Sequence, residues 1–302
     1  MQKEKFILCP VCGNKTRCIE KKGVRGMLRS IQTVTRTGLR VNEDAVGAGE
    51  DFLFVIDGAT NLSGRNYMDT QSDARWFAMQ TAGLLREMLA NEKGTLSDLV
   101  RGAMERVLHR WTGPKEAMPT ASAAIWRCRG DKVELFQLGD CGASLERADG
   151  SVLVWRERFL ARLDEAALEQ MTAHREQTGC TMEEARRWAT PILQKHRAMH
   201  NRPDGYWVLD PTGAGIAHAR TAELPAGECR SICAYSDGFA QLMQFVPQWD
   251  GAALHRQVME QGAQALLDRL YDMQEQDREM LRVPRFKLRD DTTAAAAEIE
   301  QR

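Results

Sequence analysis

The chain has 302 residues, with 41 Lys+Arg against 42 Asp+Glu and a formal net charge of -1, a balance that argues against a dedicated nucleic-acid binder. At 43% hydrophobic and 27% charged residues the composition is that of an ordinary globular protein, which argues against long disorder. No apolar run approaches the roughly 18 residues of a membrane span. Phe6-Ile7-Leu8 is too short for the core of a secretion signal, so a cytoplasmic chain is expected.

Residues 1–26 differ in texture from the rest and read as an appendage carrying Cys9-Pro10-Val11-Cys12-Gly13; residues 27–302 read as the main domain. The eight cysteines, Cys9, Cys12, Cys18, Cys128, Cys141, Cys180, Cys229 and Cys233, are scattered, which suits free thiols in a reducing compartment. Leu28 to Thr35 alternates as a first strand, and Phe52 to Ile56 is a buried strand stopping at Asp57-Gly58. Helical spacing runs from Asp69 to Asn91 and from about Leu96 to Trp111, the second with Thr95 or Ser97 as N-cap. Strands return at Ala121–Arg127, Lys132–Leu138 and Ala143–Arg147, and the Gly-containing breaks at 129–131 and 139–142 suit antiparallel hairpins. Residues 161–200 form a strongly charged helical insert, read as solvated. Ser231–Tyr235 is a short strand ending at Ser236-Asp237-Gly238. Helices follow at about 250–262 and 263–280, and a last strand runs from Ala294 to Ile299. Partly segregated strands and helices suggest an α+β layered fold.

Acidic residues recur beside breaks in these runs: Asn42-Glu43-Asp44, Ile56-Asp57-Gly58, Leu138-Gly139-Asp140, Ser236-Asp237-Gly238 and Asp290-Asp291. Any one of them is ordinary turn chemistry. Their recurrence at strand ends far apart in sequence suggests convergence, because side-by-side strands bring their ends together. Gathered carboxylates would repel, and hard cations such as Mg²⁺ or Mn²⁺, which prefer oxygen ligands, would offset that repulsion.

In this order, Arg40-Val41-Asn42-Glu43-Asp44, Phe54-Val55-Ile56-Asp57-Gly58, Leu138-Gly139-Asp140-Cys141, Ala234-Tyr235-Ser236-Asp237-Gly238 and Asp290-Asp291-Thr292-Thr293 resemble the metal-dependent protein Ser/Thr phosphatases of type 2C, from about Met27 to Ile299. The resemblance implies two antiparallel sheets in a sandwich flanked by helices, with the charged insert as a helical flap beside the site. It implies hydrolysis of phosphoserine or phosphothreonine in proteins by a water bridging two Mg or Mn ions. Asp57 would bridge those ions and the Gly58 carbonyl would add a ligand; Glu43 and Asp44 would act directly or through water, and Asp237 and Asp290 would complete the cluster. Asp140 matches an aspartate tied to a third, weaker ion. Arg40 would grip the phosphate, although its spacing is one residue short of the family pattern and Arg36 stays open. Where some members carry a histidine after Asp-Gly, thought to be a general acid, this chain has Ala59 and then Thr60. A partner Ser/Thr kinase is an expectation from the family alone.

The alternatives are a catalytically silent phosphatase-fold module that binds a phosphoprotein or regulatory partner, and a ribbon protein with an unrelated core. Cys9-x-x-Cys12 is good geometry for half a Zn²⁺ site, with Cys18 as a third ligand, but no second Cys-x-x-Cys follows; a flexible or partly ordered tail is the plainer reading. Cys141 reads as a small buried residue. His196 and His200, four apart, are the one histidine pair with ligand-like spacing.

Overall fold

The computed structural model describes residues 6–8, 15–17, 26–38, 40–59, 65–68 and 71–301. Cys9, Cys12 and Cys18, on which the zinc reading rests, lie outside the described residues. In chain order the strands are β1 (Phe6–Leu8), β2 (Lys15–Arg17), β3 (Gly26–Arg36), β4 (Asp44–Ala48), β5 (Phe52–Ala59), β6 (Thr120–Arg129), β7 (Lys132–Leu138), β8 (Gly142–Arg147), β9 (Val152–Trp155), β10 (Arg220–Pro225), β11 (Cys229–Tyr235) and β12 (Thr292–Gln301). The helices are α1 (Asp73–Asn91), α2 (Leu96–Arg110), α3 (Phe159–Thr178), α4 (Met182–Arg197), the short α5 (Asp237–Ala240) and α6 (Leu242–Phe245), α7 (Gly251–Gln261) and α8 (Ala263–Gln276). No helix among the described residues is long and apolar enough to cross a membrane.

β1 and β2 pair by themselves; the other strands form two antiparallel sheets, ordered β10-β7-β6-β5-β4 and β3-β12-β11-β8-β9. The run Phe52 to Ile56 is apolar throughout because both of its faces are covered. Phe52, Phe54 and Ile56 pack with Phe77, Leu85 and Val100 of α1 and α2. Leu53 and Val55 point the other way, to Trp126, Leu145 and Ile232 between the sheets. This is the period-two alternation of a strand inside a sandwich. β12 does the same with alanines: Ala295 and Ala297 face the opposite sheet, while Ala294 and Ala296 face Leu254, Leu266 and Leu270 of α7 and α8. The layers are therefore helix, sheet, sheet, helix, as expected for the α+β sandwich. Trp126 ties the sheets directly, its indole N–H donating to the Cys233 carbonyl at 2.9 Å.

Thr95 is the N-cap of α2, in a reciprocal capping box with Asp98, which settles the choice against Ser97. Two expectations need correction. The break at 129–131 joins a hairpin, but that at 139–142 does not, because β7 and β8 lie in different sheets. Gly139, at φ +78, turns the chain from one sheet to the other, and the Gln137 side-chain amide donates to the carbonyls of Gly139 and Cys141, clamping the crossing. The charged insert is not solvated all round. Gly179, in the left-handed conformation, ends α3 and folds α4 back against it. The inner face of that pair buries Met171, Met182, Ala185 and Ala189 against Met280 and Phe286.

Candidate active site

The ends of the two sheets meet at a cleft of about 170 Å³ whose lining includes Asp57, Gly58, Asp140, Asp237 and Asp290. Each carboxylate reaches it for a local reason. Asp57, two residues before the end of β5, stands directly opposite Asp44 of β4 and Ser122 of β6. Asp140 sits on the sheet-to-sheet crossing, where its backbone N–H donates to Ser122 Oγ at 3.1 Å. Asp237 opens α5 where β11 ends, and its backbone N–H points at Asp57 Oδ2 at 3.4 Å. Thr293 of β12 is locked to Ser236 by hydrogen bonds in both directions, so the segment carrying Asp290 is held to the one carrying Asp237. Gly238 is required there: a Cβ would stand 2.0 Å from the Asp291 carbonyl oxygen.

The neighbouring acids brace this arrangement. Asp291 accepts the backbone N–H groups of Gly38 and Glu43, each at 2.7 Å, and so pins the loop before β4. The Ser72 hydroxyl, at the N-cap of α1, donates to the Glu43 carboxylate. Arg75 holds the same loop through the Asn42 carbonyl at 2.7 Å.

Burial and mutual repulsion disturb these carboxyls strongly. Burial, then the Coulomb fields of Asp44, Asp237, Asp140 and Asp290, push Asp57 well above its ordinary range. Asp237 is raised well above it by burial and then by Asp290 and Asp140. Asp44 is raised to about 7, chiefly by burial, and neither of its buried carboxyl oxygens has a hydrogen-bond partner. Among the described residues no three His, Cys, Asp or Glu side chains already stand as a finished metal site. The donor set is nonetheless all oxygen, buried, and rich in uncompensated negative charge, which fits a hard divalent cation.

This electrostatic crowding makes the chelator-stripped chain sensitive to pH. The unfolded chain ionises Asp44 near 3.8 whereas the folded chain keeps its proton until about 7. The folded state binds more protons across that window, so its stability is greatest below it and falls as pH rises through it. The stripped chain should therefore melt several degrees lower at pH 8 than at pH 5, and Mn²⁺ should raise the melting temperature more at pH 8. A flat melting profile in a thermal-shift series would contradict this.

The family profile described as protein phosphatase 2C matches residues 35–281. The chain belongs to that family. The crystal structure of the Mycobacterium tuberculosis serine/threonine phosphatase PstP/Ppp is similar at 16% identity and TM-score 0.52, over 91% of this chain and 99% of that one. A second PstP structure, of the catalytic domain with two manganese ions, has a TM-score of 0.51 at 16% identity, over 91% and 99%. PppA of Pseudomonas aeruginosa, described as a key regulatory component of T6SS, has a TM-score of 0.51 at 14% identity, over 91% and 100%. At such identities the likeness is one of fold. No curated protein sequence matches the chain at a significant level.

This protein phosphatase 2C domain brings together Asp57, Gly58, Asp140, Asp237 and Asp290, with Glu43 and Asp44 buried behind them. Asp290 lies beyond the matched segment, so its place rests on geometry. Arg36 turns away, pairing with Asp268 at 2.6 Å and lying over the Tyr271 ring. Arg40 is exposed and lines an adjoining cleft of about 770 Å³ together with Glu43, Arg186, Lys287 and Asp290. Ala59 lines the same cleft as Asp57 and Gly58. His196 also lines it, but α4 ends at Arg197, so His200 is off the helix and its Nδ1 meets the Arg197 carbonyl at 2.6 Å; the pair shares no helix face. Cys141 is fully buried, and its thiol is pushed well up by burial and the neighbouring aspartates, as suits a packing residue.

Sequence reasoning missed Lys287 and Asp164, while the reading of the charged insert as a flap beside the site already offers Arg197 or Arg202 to the substrate. Lys287 lines both clefts and pairs with Asp290 at 2.8 Å. Asp164 on α3 enters the cleft around Asp57, raised to about 7 by burial and Asp140, and Arg197 of α4 lines the same cleft. A signal existed for Asp164: it follows Leu160 by four residues and precedes Ala167 and Met171 on the buried stripe of α3, where a carboxylate is out of place.

Proposed function

We propose that this chain is a Mg²⁺- or Mn²⁺-dependent phosphatase acting on phosphoserine or phosphothreonine in proteins. The observation that carries the reading is the gathering of Asp44, Asp57, Asp140, Asp237 and Asp290, from separate segments of both sheets, into one buried and under-compensated acidic cluster. Asp57, the Gly58 carbonyl, Asp237 and Asp290 would hold the ions. Glu43 and Asp44 would support them, and Asp140 would serve a third. Bound there, divalent cations supply an acidified water and offset charge on the phosphoryl oxygens.

The remaining work falls to the chain itself. Arg40, at the rim of the adjoining cleft, binds the phosphate of the incoming side chain, for which a planar guanidinium offers paired donors. The Ser72 hydroxyl holds Glu43 on its rotamer, and Asp291 holds the loop carrying Arg40 and Glu43. α3 and α4 cover the cleft through Leu160 and Leu193, joined by Tyr206 from the segment after α4, and limit water around the reacting phosphate.

The deciding experiment is phosphate release from a phosphothreonine peptide with and without Mn²⁺. Release that needs Mn²⁺ is expected. No release from folded, Mn²⁺-saturated protein on several phosphopeptides would sink the catalytic reading. In the same assay, Arg40→Ala should raise KM about tenfold with a smaller change in kcat, as loss of a phosphate-gripping group requires. An unchanged KM would remove Arg40 from that role.

A further inference from the structure

Lys287 stands inside the acidic cluster. Its ammonium lies 2.8 Å from Asp290 Oδ1, and the two side chains are only 23% and 29% exposed. The same residue lines the catalytic cleft with Asp57, Asp140 and Asp237, and the adjoining cleft with Arg40 and Glu43. Its position is enforced from both sides. Phe286, one residue before it, is packed against the α3–α4 pair. Two residues before it, Arg285 is buried and donates to the Leu288 carbonyl at 2.9 Å and to Asp277 at 2.7 Å. The backbone of Lys287 is thus anchored on either side, while its four-carbon stem leaves the ammonium free to choose partners.

We propose that Lys287 is a built-in competitor for Asp290: its ammonium pairs with this carboxylate in the metal-free chain and must yield it before a divalent cation takes Asp290 as a ligand. The inference rests on the proposed role of Asp290 in metal binding. An ammonium compensates a carboxylate with one charge and no coordination, so it satisfies Asp290 without building the site. A cation arriving at Asp290 loses the energy of the existing ion pair and also meets the field of a nearby positive charge. Lys287 therefore sets the metal concentration at which the centre assembles.

The test is calorimetric titration of Mn²⁺ into the chelator-stripped protein, for the unaltered chain and for Lys287→Met, which keeps the aliphatic stem. The dissociation constant should fall about tenfold in Lys287→Met and stay near the starting value in Lys287→Arg. An unchanged or weakened affinity in Lys287→Met overturns the proposal. Should that variant not fold, amine-labelling mass spectrometry on the unaltered chain gives an independent reading. Labelling at Lys287 should rise severalfold when Mn²⁺ saturates the protein, and a fall or no change overturns the proposal. If neither protein binds Mn²⁺, the reading of Asp290 as a ligand fails first. If both bind it equally, only the competition fails.

Discussion

Asp57→Asn should abolish Mn²⁺-dependent hydrolysis, by at least about a thousandfold in kcat/KM, and at the same time raise the melting temperature of the stripped chain. The two effects have one origin. Asp57 lies opposite Asp44 across the β4–β5 ladder, and like charges in that relation destabilise a sheet. Its carboxyl is pushed well above the ordinary range, so folding at neutral pH obliges it to take up a proton that the unfolded chain has released. Asparagine is nearly the same shape, carries no such obligation and cannot act as an anionic ligand. The gain in melting temperature should be on the order of 5 °C at pH 8 and should shrink toward pH 5, where the unfolded chain is closer to its own carboxyl range. Activity lost with stability unchanged or lowered would show that the acidic cluster is not strained in the way its burial implies.

Arg285→Ala should lower the melting temperature by about 6–10 °C and weaken Mn²⁺ binding by about ten- to a hundredfold, although residue 285 is no ligand. Arg285 is 4% exposed. It donates to Asp277 Oδ2 and to the carbonyls of Val283, Leu288 and Asp277, and lies over the Phe245 ring. Asp277 itself accepts the backbone N–H groups of Leu281, Arg282 and Val283. Together the pair knots residues 277–288, the segment that delivers Lys287 and Asp290 to the cleft. Removing one member of a buried pair leaves the other uncompensated, which costs about 3–5 kcal/mol. Arg285→Lys should recover only part of the loss, because a single ammonium cannot span four acceptors in different directions. Calorimetry and Mn²⁺ titration on the same samples check both halves; a large stability loss with unaltered Mn²⁺ affinity would separate this knot from the site.

The long elements could be read from the sequence because burial on two faces leaves an unmistakable record. Phe52 to Ile56 is apolar at every position, since helices cover one face of β5 and the second sheet the other. The missing elements were those whose burial is partial. β10 is mostly exposed and closes with Pro225, β9 is an edge strand of four residues, and β4 opens on an acid and contains Gly47, over which the Phe54 ring lies. The acidic motifs were legible because each interrupts an apolar run. Lys287 was not, because a lysine in a loop looks solvated until Asp290 is placed beside it. The crossing at 139–142 shows the same limit: Gly139 announces a turn, but only the partner strands decide whether the chain returns to its own sheet or leaves for the other.

The strand order of the second sheet also bears on how the chain is made. β3, the first long strand, pairs along its length with β12, the last, and β12 lies between β3 and β11. During synthesis on the ribosome β3 emerges early and then waits for some 250 residues before its partner exists. Until then one edge of β11 is bare and the sheet lacks its second position. Contacts so distant in sequence form slowly and leave intermediates with open edges. Asp290 arrives with the same late segment, so the acidic cluster closes as the final strand docks. An unfinished chain therefore carries most of the sandwich but cannot gather the full set of carboxylates.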